Sequence, residues 1–205
     1  MTSVYQKRLE QLQSGEALPC LAKMQRGIER EALRVNQDGS LSQLPHPKHL
    51  GSKLCHPSIT TDFSEAQPEL ITPVSSDISA TLEMLSDIHR YTHSELGDEI
   101  LWSASMPCIL AGEDSIPLAQ YGASNLGRLK TTYRNGLGNR YGRLMQTICA
   151  VHYNFSVPDD FWQLHWSKDG KRQSLKDYQS SRYFDLMRNF RRLSWLPIYL
   201  FGASP

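Results

Sequence analysis

The chain has 205 residues, of which 40% are hydrophobic, so it is long enough to bury a sizeable core. Its formal net charge of +1 and sequence pI near 7.7 give no global reason to expect a nucleic-acid or membrane partner. The charge is unevenly spread. Met1–Asp114 carries 16 acidic and 9 basic residues, Ser115–Pro158 carries five basic and no acidic ones, and the remainder carries 8 basic and 5 acidic. That pattern suits either chance or a fold that gathers carboxylates and cations around a polyanionic, metal-bound ligand. The first residues lack the apolar core of a signal peptide, and no apolar run approaches the roughly 18 residues of a membrane helix. Four scattered cysteines (Cys20, Cys55, Cys108, Cys149) without CxxC spacing suit free thiols and a reducing cytoplasm.

In chain order, a short helix is expected over 3–13. Arg26-Gly-Ile-Glu-Arg-Glu-Ala-Leu-Arg34 follows, and its Glu, Arg, Ala and Leu favour a helix by local propensity. On a helix Glu29 and Glu31 would lie about 200° apart, whereas on a strand they share a face and can address hard cations. A solvated, salt-bridged segment is the plainer alternative. A loop with Pro45, Pro47, Gly51 and Pro57 spans 43–58. Asp62, Glu65 and Glu69 then stand among β-branched and apolar residues, either as surface loop carboxylates or as paired or metal-bound groups, since an isolated buried carboxylate is costly.

The clearest helix follows Pro73, with Ser75, Ser76 or Asp77 as cap, a stripe of Ile78, Leu82, Leu85, Ile88 and Leu96, and an end at Gly97. Between Tyr121 and Arg143, Arg128, Lys130, Arg134, Arg140 and Arg143 lie among glycines and tyrosines, a composition that suits phosphate oxygens or a solvated basic face. No P-loop or GxGxxG occurs. Residues 147–157 alternate as a strand. Cys149, Val151, Tyr153, Phe155 and Val157 are expected to pack a core, with Ala150, His152, Asn154 and Ser156 on a polar face. His152 there is either an ordinary strand histidine or, beside carboxylates, a ligand for Mg²⁺ or Mn²⁺. A second long helix is expected over Leu175–Trp195, with Tyr183, Leu186, Phe190 and Leu193 inward and Pro197 stopping it. The last ten residues are apolar and read as a cut through a larger fold.

Several strings resemble the proteobacterial type of glutamate–cysteine ligase: Arg26-Gly-Ile-Glu-Arg-Glu-Ala-Leu-Arg-Val-Asn36, Ile59-Thr-Thr-Asp-Phe-Ser-Glu65, Ser105-Met-Pro-Cys108, Ala119-Gln-Tyr-Gly-Ala-Ser-Asn125, Val151-His-Tyr-Asn-Phe-Ser156 and Pro197-Ile-Tyr-Leu-Phe-Gly-Ala-Ser-Pro205. The matches run in order from about Met24 to Pro205. The resemblance implies an α+β, glutamine-synthetase-like fold in which a curved antiparallel sheet forms a funnel-shaped active site. Residues 1–205 would be the N-terminal portion of a single catalytic domain, because family members are more than twice as long. It implies that Glu29 and Glu31 sit on a strand and that Glu29, Glu31, Asp62, Glu69 and His152 ligate Mg²⁺ (or Mn²⁺) at the ATP phosphates. Tyr133, Leu137, Gln146 and Ile148 match amino-acid pocket positions, and Arg134 and Arg140 are candidate phosphate contacts.

The implied reaction joins L-glutamate, through γ-glutamyl phosphate, to L-cysteine with ATP as co-substrate. Small molecules would be its partners, without nucleic acid or membrane. The chain alone is expected to be weakly active or inactive, exposing apolar surface around Trp195–Phe201 through which it self-associates. Two alternatives stand beside this: a related ligase with another amine acceptor, and a non-catalytic fragment that binds a partner chain.

Overall fold

The computed structural model describes residues 3–13 and 15–202. Its helices are α1 (Val4–Gln13), α2 (Ala17–Leu21), α3 (Ile78–Ser94), α4 (Asn125–Tyr141), α5 (Asp159–Lys168), α6 (Leu175–Leu193) and α7 (Trp195–Phe201). Its strands are β1 (Gln25–Glu31), β2 (Arg34–Val35), β3 (Ile59–Thr61), β4 (Pro68–Ile71), β5 (Ile100–Leu101) and β6 (Val151–Ser156). The architecture is α+β, as expected, and divides into two compact units. No helix among the described residues is long and apolar enough to cross a membrane, and all four cysteines are free.

One unit, Met1–Met24 with Ser156–Pro205, is helical. Ala17, Phe161, Trp162 and Tyr178 form its core, with Leu21, Leu164 and Tyr183 packed against them. Ser174 caps α6 by accepting the Asp177 amide at 3.1 Å. The long helix expected here ends at Leu193, two residues early, and Pro197 lies inside α7 rather than stopping anything. The chain breaks instead at Ser194, so Pro197 falls in a new first turn, where its missing N–H costs no hydrogen bond. Of the side chains expected inward, Tyr183 is half-buried against the core, and its hydroxyl accepts the Val157 amide at 3.0 Å. Leu186, Phe190 and Leu193 are exposed, as is all of α7 from Trp195 to Phe201.

The other unit, Gln25–Phe155, carries a four-stranded sheet in the order β3-β4-β1-β6 and a small β2–β5 ribbon. The β1–β4 and β3–β4 pairs are antiparallel. Pairing overrides the helical propensity of 25–31, because β1 finds partners on both sides. Arg30 pairs with Leu70, and Leu70 with Ile59, which fixes one face of the sheet. On it Ile59 and Leu70 meet Leu50 and Ile88, each burial being worth roughly 1.5–3 kcal/mol. Asp77 caps α3, accepting the Ala80 amide at 2.9 Å. Of the stripe expected of α3, Leu85 and Ile88 pack and Leu96, just past the helix end at Ser94, is buried, whereas Ile78 and Leu82 are exposed. A second core joins Leu33, Val35, Leu41, Phe63, Ala66, Cys108, Ile116 and Cys149.

Beside that second core, Arg34 and Glu99 make a buried ion pair at 2.7 Å, with side chains 1% and 6% exposed. The other Arg34 nitrogen donates to the carbonyls of Leu44 and Glu65. The core expected on β6 is not observed. Cys149 is buried, but Val151, Tyr153 and Phe155 are exposed, because no described element covers that face of β6.

Candidate functional site

The functional face of the sheet is set by register. Glu31 stands opposite Glu69, Glu29 lies two residues before Glu31, and Thr60 stands opposite Glu69 on β3. Period-two alternation therefore puts Glu29, Glu31 and Glu69 on the face away from Leu70. Asp62 follows β3 and is electrostatically coupled to both Glu31 and Glu69. From the far side β6 brings His152, whose Nδ1 lies 3.2 Å from Glu29 Oε2 and 3.8 Å from Glu31 Oε1. Asn154 donates to Glu29 Oε1 at 2.9 Å, and the Ala150 amide to Glu31 Oε2 at 2.8 Å. All five sequence-singled residues thus meet on one face. Asn154 completes it; its position two residues from His152 on the polar side was the signal that would have found it.

Packing negative charges together on a partly buried face has a cost. Burial first, then the charges of Asp62, Glu29 and Glu31, raise the Glu69 carboxyl to about 7. Burial also raises Glu31, opposed by the Ala150 hydrogen bond, and raises Asp62, opposed by the Arg134 charge. No donor among the described residues reaches the Glu69 carboxylate.

Four carboxylates and an imidazole have the oxygen-rich donor chemistry that would suit Mg²⁺ or Mn²⁺. A divalent cation would offset the charges of Asp62, Glu29 and Glu31, which add to burial in raising Glu69. The donors fit in chemistry and in face, although as they stand no three His, Cys, Asp or Glu side chains among the described residues converge on one point. Glu29 and His152 are turned to each other instead.

The remaining residues of interest lie on and after α4. Tyr133 and Leu137 are one turn apart, the first exposed and the second packed against the core of Phe63 and Ile116. Gln146 is half-buried inside a short 3-10 turn over Met145–Thr147, and Ile148, just after it, is exposed. Arg140 lies over the Tyr141 ring at 5.2 Å. The Arg134 guanidinium faces inward, donating to the carbonyls of Asp62, Thr61 and Lys130.

The chain is thus of the α+β class, with one face of its sheet lined by carboxylates. A family model described as glutamate-cysteine ligase matches residues 9–205, and the chain belongs to the glutamate–cysteine ligase family. It is 55% identical over 200 residues to the glutamate–cysteine ligase of Alcanivorax borkumensis, covering 98% of this chain and 38% of that one. With that of Pseudomonas putida (strain W619) the identity is 54% over the whole chain, which is 39% of the relative. The chain thus spans under two fifths of the length of these relatives. Among solved structures it resembles glutamate–cysteine ligase from Francisella tularensis in complex with AMP (TM-score 0.82, 42% identity, 89% of this chain and 36% of that chain). It also resembles a bifunctional glutathione synthetase from Pasteurella multocida (TM-score 0.84, 32% identity, 97% and 25%).

Proposed function

We propose that this chain supplies the metal- and nucleotide-facing part of an ATP-dependent ligase that joins the γ-carboxyl of L-glutamate to the amine of L-cysteine. The observation that carries the reading is the gathering of Glu29, Glu31, Asp62, Glu69 and His152 on one sheet face in a chain of this family. Those five residues would hold Mg²⁺ (or Mn²⁺), which when bound offsets the charge of the ATP phosphates. A relative solved with AMP supports an adenine nucleotide as the ligand.

The γ-carboxylate of glutamate attacks the γ-phosphorus of ATP, releasing ADP, and the cysteine amine then displaces phosphate from γ-glutamyl phosphate. Little covalent chemistry falls to the protein, whose part is positioning and charge. Tyr133, Leu137, Gln146 and Ile148 shape the amino-acid pockets, and Arg140 is the candidate phosphate contact; the expectation for Arg134 is corrected, because its guanidinium donors are taken by the carbonyls of Asp62, Thr61 and Lys130. The setting is the reducing cytoplasm, where four free cysteines persist. Substrates are small molecules, without nucleic acid or membrane, and the exposed α7 is the surface through which the chain self-associates.

The test is ADP release by the chain with ATP, Mg²⁺ and glutamate, with cysteine and with a panel of other amines. Cysteine-dependent release establishes the reading, and release with a different amine reassigns the acceptor. No release from a folded chain that binds Mg²⁺-ATP places it as a binding part of a larger enzyme. A folded chain that binds neither Mg²⁺ nor ATP overturns the site.

A further inference from the structure

Asp62 lies just past the end of β3, so the ladder holds its peptide from one side, through the bond from its amide to the Gln67 carbonyl at 2.9 Å. The carbonyl side is held by two residues from far along the chain. Tyr121, 5% exposed, places its hydroxyl 2.6 Å from the Thr61 carbonyl, 3.3 Å from the Asp62 carbonyl and 3.0 Å from Thr61 Oγ1, which donates to it. The Arg134 Nε donates to the Asp62 carbonyl and Nη2 to that of Thr61 at 3.3 Å. Its guanidinium stacks over the Tyr121 ring at 4.6 Å, which joins the two side chains into one clamp.

The clamp is itself anchored. Glu65 accepts the Gln120 amide at 2.8 Å, the His46 amide at 3.0 Å and the Lys53 ammonium, fixing the backbone just before Tyr121. On the other side, α4 comes so near Tyr121 that a Cβ at Gly127 would stand 2.4 Å from the Tyr121 carbonyl oxygen. Such construction is what a carboxylate needs if it is to meet an ion within a fraction of an ångström.

We propose that Tyr121, acting with Arg134, is a positioning residue that sets the Asp62 carboxylate by gripping the carbonyls of Thr61 and Asp62. The inference rests on the reading of the acidic face as a divalent-cation site. In this role Tyr121 acts through the two backbone carbonyls that its hydroxyl meets.

Two measurements on the 205-residue chain test it. The first, without metal, follows the ¹³C carbonyl signals of Thr61 and Asp62. The second is Mn²⁺ affinity, read from the electron paramagnetic resonance of the free ion. Tyr121→Phe keeps the ring and removes the hydroxyl. It should shift or broaden both carbonyl signals and weaken Mn²⁺ binding about ten-fold, the usual effect of losing a residue that orients a ligand. Tyr178→Phe, which removes a buried tyrosine hydroxyl from Asp169 in the helical unit, should change neither. Mn²⁺ affinity within about two-fold of wild type in Tyr121→Phe overturns the proposal. If wild type binds no Mn²⁺, the metal reading fails and the carbonyl signals decide the clamp: unmoved signals overturn it, moved signals sustain it. Should Tyr121→Phe not fold, Arg134→Lys, which keeps a cation at the ring and loses the Nε donor, is read by the same two criteria.

Discussion

Glu31 and Glu69 stand directly opposite each other across β1 and β4, two carboxylates in one cross-strand pair. Like charges in that relation destabilise a sheet, and a third, Glu29, shares the face. A fold does not keep such an arrangement for its own stability.

The first expectation concerns pH. Because the Glu69 carboxyl is raised from 4.5 to about 7, the folded chain holds a proton in that interval which the unfolded chain releases. Stability therefore falls as pH rises through the window and levels off above it. With metal chelated, the loss should be about 1–2 kcal/mol after discounting for solvent screening. Glu69→Gln should flatten the curve, and Mg²⁺ should stabilise wild type more at pH 8 than at pH 5. Thermal melts across pH, with chelator or Mg²⁺, check both; a wild-type curve rising through pH 5 to 7 would contradict the assignment.

Metal affinity should separate Glu29 from a carboxylate of the same type elsewhere. Glu29→Gln keeps a hydrogen-bonding side chain beside Asn154 but removes a charge from the face. A loss of at least about ten-fold in Mn²⁺ affinity is expected, against little change for Glu95→Gln at the end of α3. Equal affinities in a binding titration would remove Glu29 from the site.

The Arg34–Glu99 pair should dominate the stability of its region. Glu99→Gln leaves a buried guanidinium short of its counter-charge, at a cost of about 3–5 kcal/mol. Replacing both partners, as Arg34→Met with Glu99→Leu, should cost less than either single change. Urea midpoints of the three variants give the answer.

Two glycines of α4 should respond in opposite directions to alanine. Gly136 has nothing within 4 Å of an added Cβ, so Gly136→Ala should stabilise by about 0.5–1 kcal/mol. Gly127→Ala meets the backbone of Tyr121 and Gly122 and should destabilise in spite of the same helical gain. Thermal melts of the pair test whether close approach, rather than propensity, explains the glycines.

Sequence reasoning reached the parts whose signals are local. Asp77 and the Leu85–Ile88 turn announce α3, and the alternation of β6 gives the side on which His152 lies. It missed what depends on distant partners. Residues 25–31 favour a helix until β4 and β6 are present to pair with them. Alternation told the two faces of β6 apart but not that its apolar face would be left uncovered. Nothing local marks Arg34 as the partner of Glu99, 65 residues away, or Tyr121 as the partner of Thr61. The acidic face was legible as residue types, while its assembly required the register of three strands.

The edge position of β6 has a dynamic consequence for the site. Along Val151–Ser156, amides turned toward β1 are held and those turned outward have no described partner, so deuterium uptake should alternate from residue to residue. The imidazole of His152, 51% exposed, rides on this edge strand while Glu31 and Glu69 lie on strands paired on both sides. Fraying would carry away the one nitrogen donor and leave the carboxylates in place, so the acidic face should lose its imidazole long before it loses its charge.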